Sequence, residues 1–159
     1  EKETWYGDGA SAIILKEIAG FANSTTFGWY DSSNPAVRGQ IFEGSDDSNT
    51  GWKDTNFGET NFGFYIEPNG NPDNRMYTEH LLNNGDEYHV AIFRINNMND
   101  YLLAWEDLSL TGSTDQDYQD MIVRMKVNPV PEPATMLLLG SGLVAFAGIG
   151  RKKFFNKKK

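Results

Sequence analysis

Short apolar runs separated by polar turns dominate residues 1–128 and predict a chain that is mainly β. The runs are rich in aromatic and β-branched side chains, as strands are. Four of them stand out: Phe62–Ile66, His89–Ile95, Tyr101–Trp105 and Met121–Val127. In the last run Met and Val alternate with a mostly polar set, so one face of that strand should be buried. Short strands with Gly- and Asn-rich turns favour a β-sandwich or jelly-roll-like domain.

The segment near the start of the chain follows a different pattern. Apolar residues recur there at helical spacing, with Glu17 among them: Ile13, Ile14, Ile18 and Phe21. This spacing predicts one short N-terminal helix, from about Ala10 to Ala22, that packs on the sheet.

A third pattern occupies the last thirty residues, VPEPATMLLLGSGLVAFAGIGRKKFFNKKK. Residues 134–150 carry no charge, and a helix of that length reaches roughly 25 Å against a hydrocarbon core of ~30 Å. Arg151, Lys152 and Lys153 follow at once, and the positive-inside bias keeps such residues in the cytoplasm. We therefore expect a single hydrophobic transmembrane-type helix over 134–150 and a basic cytoplasmic tail over 151–159.

The start of this tail points to a sorting signal. Val130, Pro131, Glu132 and Pro133 precede the apolar span and the basic end, and the combination resembles the PEP-CTERM sorting signal of exported proteins from Gram-negative bacteria. The resemblance makes 129–133 the linker and sorting motif. It implies an exosortase-type processing enzyme as partner, export to the cell surface, and initial anchoring in the inner membrane by the helix. The alternative reading is an ordinary tail anchor in which the prolines only end a helix.

Charge divides the chain at the same place. All 22 acidic residues lie in 1–132, where eight basic residues leave a formal charge of −14. Such a surface repels nucleic acid and favours cations. The chain has no cysteine, so no disulfide supports a domain that we expect to be extracellular. Because an exported protein needs a signal peptide and the numbering starts at Glu1, we expect that one was removed earlier.

Carboxylates concentrate between the last two predicted strands. Five of them fall within fifteen residues: Glu106, Asp107, Asp115, Asp117 and Asp120. Like charges at this density repel unless a cation or donors neutralise them, and Ca²⁺ takes six to eight oxygen ligands of this kind. The spacing is not that of an EF-hand, because Asp120 and Lys126 stand where that loop needs Gly and Glu. A solvated acidic loop with Asp side chains in turns is the alternative.

The same stretch carries a second resemblance. From about Ile14 to Val127 the chain resembles the DUF4114 domain, a bacterial surface and secreted module. The residues that carry the likeness are Trp105–Leu108, Gly112–Ser113, Asp115, Asp117–Tyr118, Asp120 and Met121–Val123. Gln119 stands where the family has Asn, and Trp105 where Phe is common. Such domains recur in calcium-rich adhesins, so the resemblance implies structural calcium held by the five carboxylates.

Other candidate sites give weaker signals. The oxygen-rich loop Asp46–Gly51 suits a second cation or a plain turn. His80 and His89 read as structural histidines, since neither has the partners that zinc needs. No nucleophile elbow, phosphate-binding loop or dinucleotide fingerprint occurs, so we do not expect an enzyme.

Aromatic residues suggest carbohydrate binding as a different role. Exposed rings stack on sugars, whereas buried rings fill the core. We expect Trp5 and Trp52 to be exposed, and Trp105 and Phe93 to be buried.

These patterns lead to one functional expectation and two alternatives. The expectation is an exported cell-surface or extracellular-matrix protein with a structural or adhesive role that is stabilised by calcium. One alternative is a carbohydrate-binding module of the extracellular polysaccharide. The other is a self-assembling filament or surface-layer subunit, a homo-polymer whose apolar tails pack together.

Overall fold

The computed structural model describes residues 3–17, 24–95, 99–108 and 117–128. All of them belong to the first of two units into which the chain divides, Glu1–Pro129 and Val130–Lys159. The predicted hydrophobic helix over 134–150 and the basic tail lie outside the described residues. Within the described ranges, no helix has the length and apolar character needed to cross a membrane.

The described residues form one antiparallel sheet of eight strands, which confirms the predicted β class. The strands are β1 Trp5–Glu17, β2 Thr26–Asp31, β3 Asn34–Phe42, β4 Lys53–Glu67, β5 Met76–Tyr77, β6 Val90–Arg94, β7 Asp100–Trp105 and β8 Met121–Asn128. Their order across the sheet is β3-β2-β4-β1-β8-β7-β6, with β5 paired to β4. Four 3₁₀ turns follow β4 and β5: Pro68–Gly70, Pro72–Asn74, His80–Leu82 and Asn84–Asp86.

The predicted N-terminal helix is wrong over residues 10–17, which lie in β1, and residues 18–22 lie outside the described residues. Ala10, Ala12 and Ile14 are buried and alternate with more exposed residues, which is strand periodicity. β1 lies between β4 and β8. A Cβ at Gly9 would lie 2.3 Å from the Thr55 carbonyl oxygen, so a larger residue there would displace β4. Tertiary pairing therefore overrides the local helical spacing.

The four predicted strands coincide with β4, β6, β7 and β8 or with parts of them, and the run His89–Ile95 is one residue longer than β6 at each end. In β8 the inward face is Met121, Val123, Met125 and Val127, each at most 6% exposed, as the alternation predicts. Strands β2 and β3 lie in a segment for which the sequence pattern gave no strand.

The sheet is folded over on itself instead of forming two separate sheets. Phe27 of β2 and Trp105 of β7 lie four strand spacings apart in the order, about 19 Å in a flat sheet. Their ring centroids are 6.4 Å apart. Bulges bend the sheet, including one in the β1–β4 pairing between Gly7 and Gly9. The two halves therefore face each other as in a sandwich, while the hydrogen-bonded ladder stays continuous.

Aromatic rings fill the space between the two halves. Trp5 packs edge-on against Phe64 and Tyr101 at 5.4 Å, and Phe27 stacks on Phe64 at 5.3 Å. Trp5 is 2% exposed, so its predicted exposure is wrong, because the curl closes over the start of β1.

The burial predictions for three further aromatic residues have mixed outcomes. Trp105 is fully buried and Trp52 is 44% exposed, both as predicted. Phe93 is 55% exposed, so its predicted burial is wrong. It lies on the edge strand β6.

Replacing Phe27 by Ala should lower the free energy of unfolding by about 3–5 kcal/mol, because it opens a cavity among packed rings. Phe93→Ala is the matched control and should change stability by less than about 0.5 kcal/mol, since that ring is largely in solvent. Urea unfolding of the full chain, followed by tryptophan fluorescence, measures both. Equal effects of the two substitutions would contradict the folded-over core.

Candidate metal centre

Strand register brings acidic residues from three strands to one end of the sheet. Met121, the first residue of β8, pairs with Trp105 at the end of β7 and with Glu17 at the end of β1. Asp120 directly precedes Met121, and Glu106 and Asp107 directly follow Trp105. Adjacent strands are about 4.8 Å apart, so these carboxylates meet although they are far apart in sequence.

Three of these residues come close enough to share one ion. One carboxylate oxygen from each of Glu106, Asp107 and Asp120 lies within 4.8 Å of the other two. Two oxygens that bind the same Ca²⁺ at 2.3–2.6 Å are separated by at most about 5 Å. The group, which we call the strand-end cluster, therefore has the dimensions of a calcium site.

Backbone hydrogen bonds fix the strand-end cluster. The Asp107 amide donates to Asp120 Oδ2 at 2.9 Å, the Asp120 amide donates to the Trp105 carbonyl at 3.1 Å, and the Glu106 amide donates to the His89 carbonyl at 2.9 Å. The side chains are thus held on strand ends over the packed Trp105 and Met121. Asp107 Oδ2 is buried without a hydrogen-bond partner, which leaves it available to a ligand.

Burial and neighbouring charges disfavour the ionised form of Asp107. Burial, followed by the charges of Asp120 and Glu106, raises the pKa of Asp107 from 3.8 to about 7. Every contribution acts in the same direction, so no basic side chain among the described residues offsets the repulsion at this carboxyl group. At neutral pH the group is either protonated or in need of a positive ion.

Glu17 is a member of this acidic environment that the sequence analysis missed. Burial, followed by repulsion from Asp107, Asp46 and Asp47, raises the pKa of Glu17 from 4.5 to about 7. Its Oε1 atom is buried without a hydrogen-bond partner. In the sequence, Glu17 appears only as an acidic residue within an apolar stripe. The predicted helix gave no reason to place it beside the start of β8, where strand pairing puts it.

Of the other two predicted ligands, only Asp117 is described, and it is not part of the strand-end cluster. Asp117 is exposed and bonds Gln119, accepting from its backbone amide at 3.1 Å and from its side-chain Nε2. Asp115 lies outside the described residues, as do the sorting residues Val130–Pro133 and the basic residues Arg151–Lys153.

The loop considered for a second cation is held by its own contacts. Asp46 Oδ2 accepts from Lys53 Nζ at 2.6 Å and from the Glu43 amide at 2.7 Å. Asp47 Oδ1 accepts from the Asn49 amide at 2.8 Å. Burial raises the pKa of Asp46, but the bonds from Lys53 and from the Glu43 amide outweigh it and hold that pKa below its ordinary value. These contacts are those of a structural turn.

Two cationic side chains lie near the exposed indole of Trp52. Lys126 Nζ lies 4.8 Å and Arg124 Cζ 5.8 Å from the ring centre. Arg124 is held in turn by two bonds to Asp100, at 3.0 and 2.7 Å. The ring therefore has cation–π partners within the domain.

Sequence comparisons match two parts of the chain. The Domain of unknown function (DUF4114) matches residues 21–128, and the PEP-CTERM protein-sorting motif matches residues 129–152. Comparisons with curated proteins and with solved structures gave no match. The sorting motif marks an exported cell-surface protein that is recognised by an exosortase. Because the first match covers more than half of its length, the chain belongs to the DUF4114 family.

Proposed function

We propose that the domain is a calcium-stabilised structural or adhesive element of the cell surface or extracellular matrix, delivered there by its PEP-CTERM signal. Its role in this proposal is non-catalytic. The observation that carries the proposal is the strand-end cluster, in which buried Asp107 Oδ2 has no hydrogen-bond partner and its neighbours only add repulsion.

Calcium fits the donor set better than other common metal ions. The cluster offers only carboxylate oxygens, which hard cations prefer and which softer ions such as Zn²⁺ share with nitrogen and sulfur ligands. Mg²⁺ requires a near-ideal octahedron and keeps most of its water. Ca²⁺ tolerates irregular coordination, so it suits ligands set by strand register.

Binding at this place would stabilise the whole domain. The ligands directly follow β7 or directly precede β8, and Glu17 lies at the end of β1, so the site exists only when the sheet has formed. An ion that binds the folded state alone raises its stability by mass action. Calcium would also remove the repulsion that raises the pKa of Asp107 and Glu17.

Adding calcium to the full chain should raise the midpoint of thermal unfolding relative to the chelated protein. At a hundredfold excess over Kd the gain is about 2.7 kcal/mol, which corresponds to roughly 10 °C for a domain of this size. Circular dichroism in a polyoxyethylene detergent measures the shift. An identical midpoint with calcium and with chelator would overturn the calcium proposal.

Asp107→Asn should remove most of this shift, because it deletes a central ligand charge. It should also raise the midpoint of the chelated protein, since the repulsion disappears with the charge. Asp117→Asn is the matched control: the same chemical change, on an exposed residue beside the cluster, should leave the shift intact. Equal loss in both variants would show that the response comes from general charge screening.

Stability without calcium should fall as pH rises. The pKa values of Asp107 and Glu17 are about 7 when folded against ordinary values of 3.8 and 4.5. The folded chain therefore holds protons that the unfolded chain releases. This contribution is complete below about pH 4 and is lost as pH rises through about 7. Denaturant unfolding in chelator at pH 5 and pH 8 should show the loss, and Asp107→Asn should reduce it. A wild-type protein that is more stable at pH 8 would contradict the assignment.

Processing should depend on the sorting motif. Replacing Pro131 and Pro133 by Ala should leave the tail attached in cells that contain an exosortase, because the prolines fix an extended segment. Immunoblots of the tagged chain measure the retained form, with the wild-type chain in exosortase-deficient cells as reference. Normal trimming of the double variant would show that recognition lies elsewhere.

A further inference from the structure

The outward surface of one half of the sheet is apolar, although the solvent side of an antiparallel sheet is ordinarily polar. Strand register aligns Phe93 of β6, Leu102 of β7, Arg124 of β8 and Ile13 of β1 in one row. Phe93 is 55% exposed and the other three are half-buried. Leu103, the neighbour of Leu102 in β7, is fully buried, so the row itself points away from the core. We call the surface around this row the outer face, and six residues define it: Ile13, Phe93, Leu102, Ile122, Arg124 and Lys126.

The charge balance of the outer face differs from that of the domain. Residues 1–132 carry 22 acidic and only eight basic residues. Three of the eight lie on the outer face or at its border: Lys16, Arg124 and Lys126. The same register rows hold two acidic residues, Asp54 and Asp100, and Asp100 is bonded to Arg124 at 2.7 Å. Within the described part of the chain no salt bridge involves Lys16 or Lys126, so both can meet an acidic partner.

A second exposed apolar surface lies on the 3₁₀ turns that precede β6, and it is acidic. Leu81 is 70% exposed and Tyr88 is 47% exposed. The Tyr88 ring stacks on His80 with centroids 4.2 Å apart, which brings it beside the Leu81 turn. Asp86 is exposed and Glu87 is half-buried. We call this surface the turn patch, and five residues define it: Leu81, Leu82, Asp86, Glu87 and Tyr88.

We propose that the outer face docks onto the turn patch of a second copy of this chain. The two surfaces are complementary, because each exposes apolar side chains and their charged residues are opposite in sign. Every copy carries both surfaces, so the contact can repeat head to tail and build a row of molecules. The inference rests on the proposed structural role of the domain and does not require bound calcium.

Other occupants of the outer face fit less well. Two outer faces packed together would set Arg124 and Lys126 of each copy against the same residues of the other, and like charges repel. An acidic polysaccharide would satisfy the basic side chains but would leave Ile13 and Leu102 without an apolar partner. Exposed apolar patches with a polar rim are typical of protein contacts.

The size of the outer face indicates that a single contact is weak. Its four strands span about 14 Å between the outermost strand axes, which places the contact in the class of small interfaces. Assembly should therefore depend on concentration, and it is favoured where many copies are held on one surface.

Sedimentation velocity of the full chain in a polyoxyethylene detergent tests the proposal over a range of micromolar concentrations. We expect the average mass of the wild-type chain to rise with concentration. Phe93→Ser on the outer face and Leu81→Ser on the turn patch should each weaken assembly about tenfold, the effect of losing one apolar anchor. Val37→Ser is the matched control, since Val37 is 49% exposed on β3, and it should assemble like the wild type.

An equimolar mixture of the two variants tests the head-to-tail geometry. The intact turn patch of the Phe93→Ser chain can dock onto the intact outer face of the Leu81→Ser chain. The two surfaces that remain are both altered, so the mixture should form pairs at wild-type affinity and little beyond pairs. A mixture that forms no pairs overturns the head-to-tail contact.

Three further results would overturn the proposal. Wild-type assembly by both variants would assign the association to other surfaces, including the apolar tail. A wild-type chain that stays monomeric at every concentration excludes the contact. Binding of polygalacturonate by that monomer, lost in Phe93→Ser, would assign the outer face to an acidic glycan.

The unfolding midpoint of the same samples separates this inference from the calcium proposal. A calcium-dependent rise in midpoint without assembly overturns the docking inference alone. Assembly that persists in chelator, with no effect of calcium on the midpoint, overturns the calcium proposal alone.

Discussion

The register of β8 against its two neighbouring strands is the constraint on which the acidic site depends. Pairing of Met121 with both Trp105 and Glu17 is needed to bury the apolar face of β8. The same register forces the acidic residues beside this row together. A slip of one residue would relieve the repulsion, but it would also turn Val123 and Met125 to solvent. The core therefore fixes the register, and the register brings these carboxylates together.

The folded-over sheet explains why the charges of these carboxylates are disfavoured. Its aromatic centre, with Phe27 against Trp105, closes the two halves over the end of β7, so Glu106 and Asp107 are at most 6% exposed. Burial is the largest cause of the raised pKa of Asp107. On an open sheet the same carboxylates would be hydrated and the repulsion screened. The burial of the site is thus a consequence of the curl.

Much of the β framework could be predicted from the sequence, because strands such as β8 carry a clear period-two alternation. The sequence misled in β1, where Gly and Ala replace the large residues that normally mark a strand. These small residues allow close approach of β4, which is a tertiary requirement. Three residues of the site, Glu106, Asp107 and Asp120, could be predicted because they directly flank two strands with clear sequence patterns. Glu17 was not, because it joins the site only through pairing across about a hundred residues of sequence.

The most direct test of the calcium site is a crystal structure grown in calcium, with anomalous scattering recorded to identify the ion. We predict an anomalous peak 2.3–2.6 Å from carboxylate oxygens of Glu106, Asp107 and Asp120. A well-ordered site without that peak, with water or a basic side chain against Asp107 Oδ2, would contradict the calcium assignment.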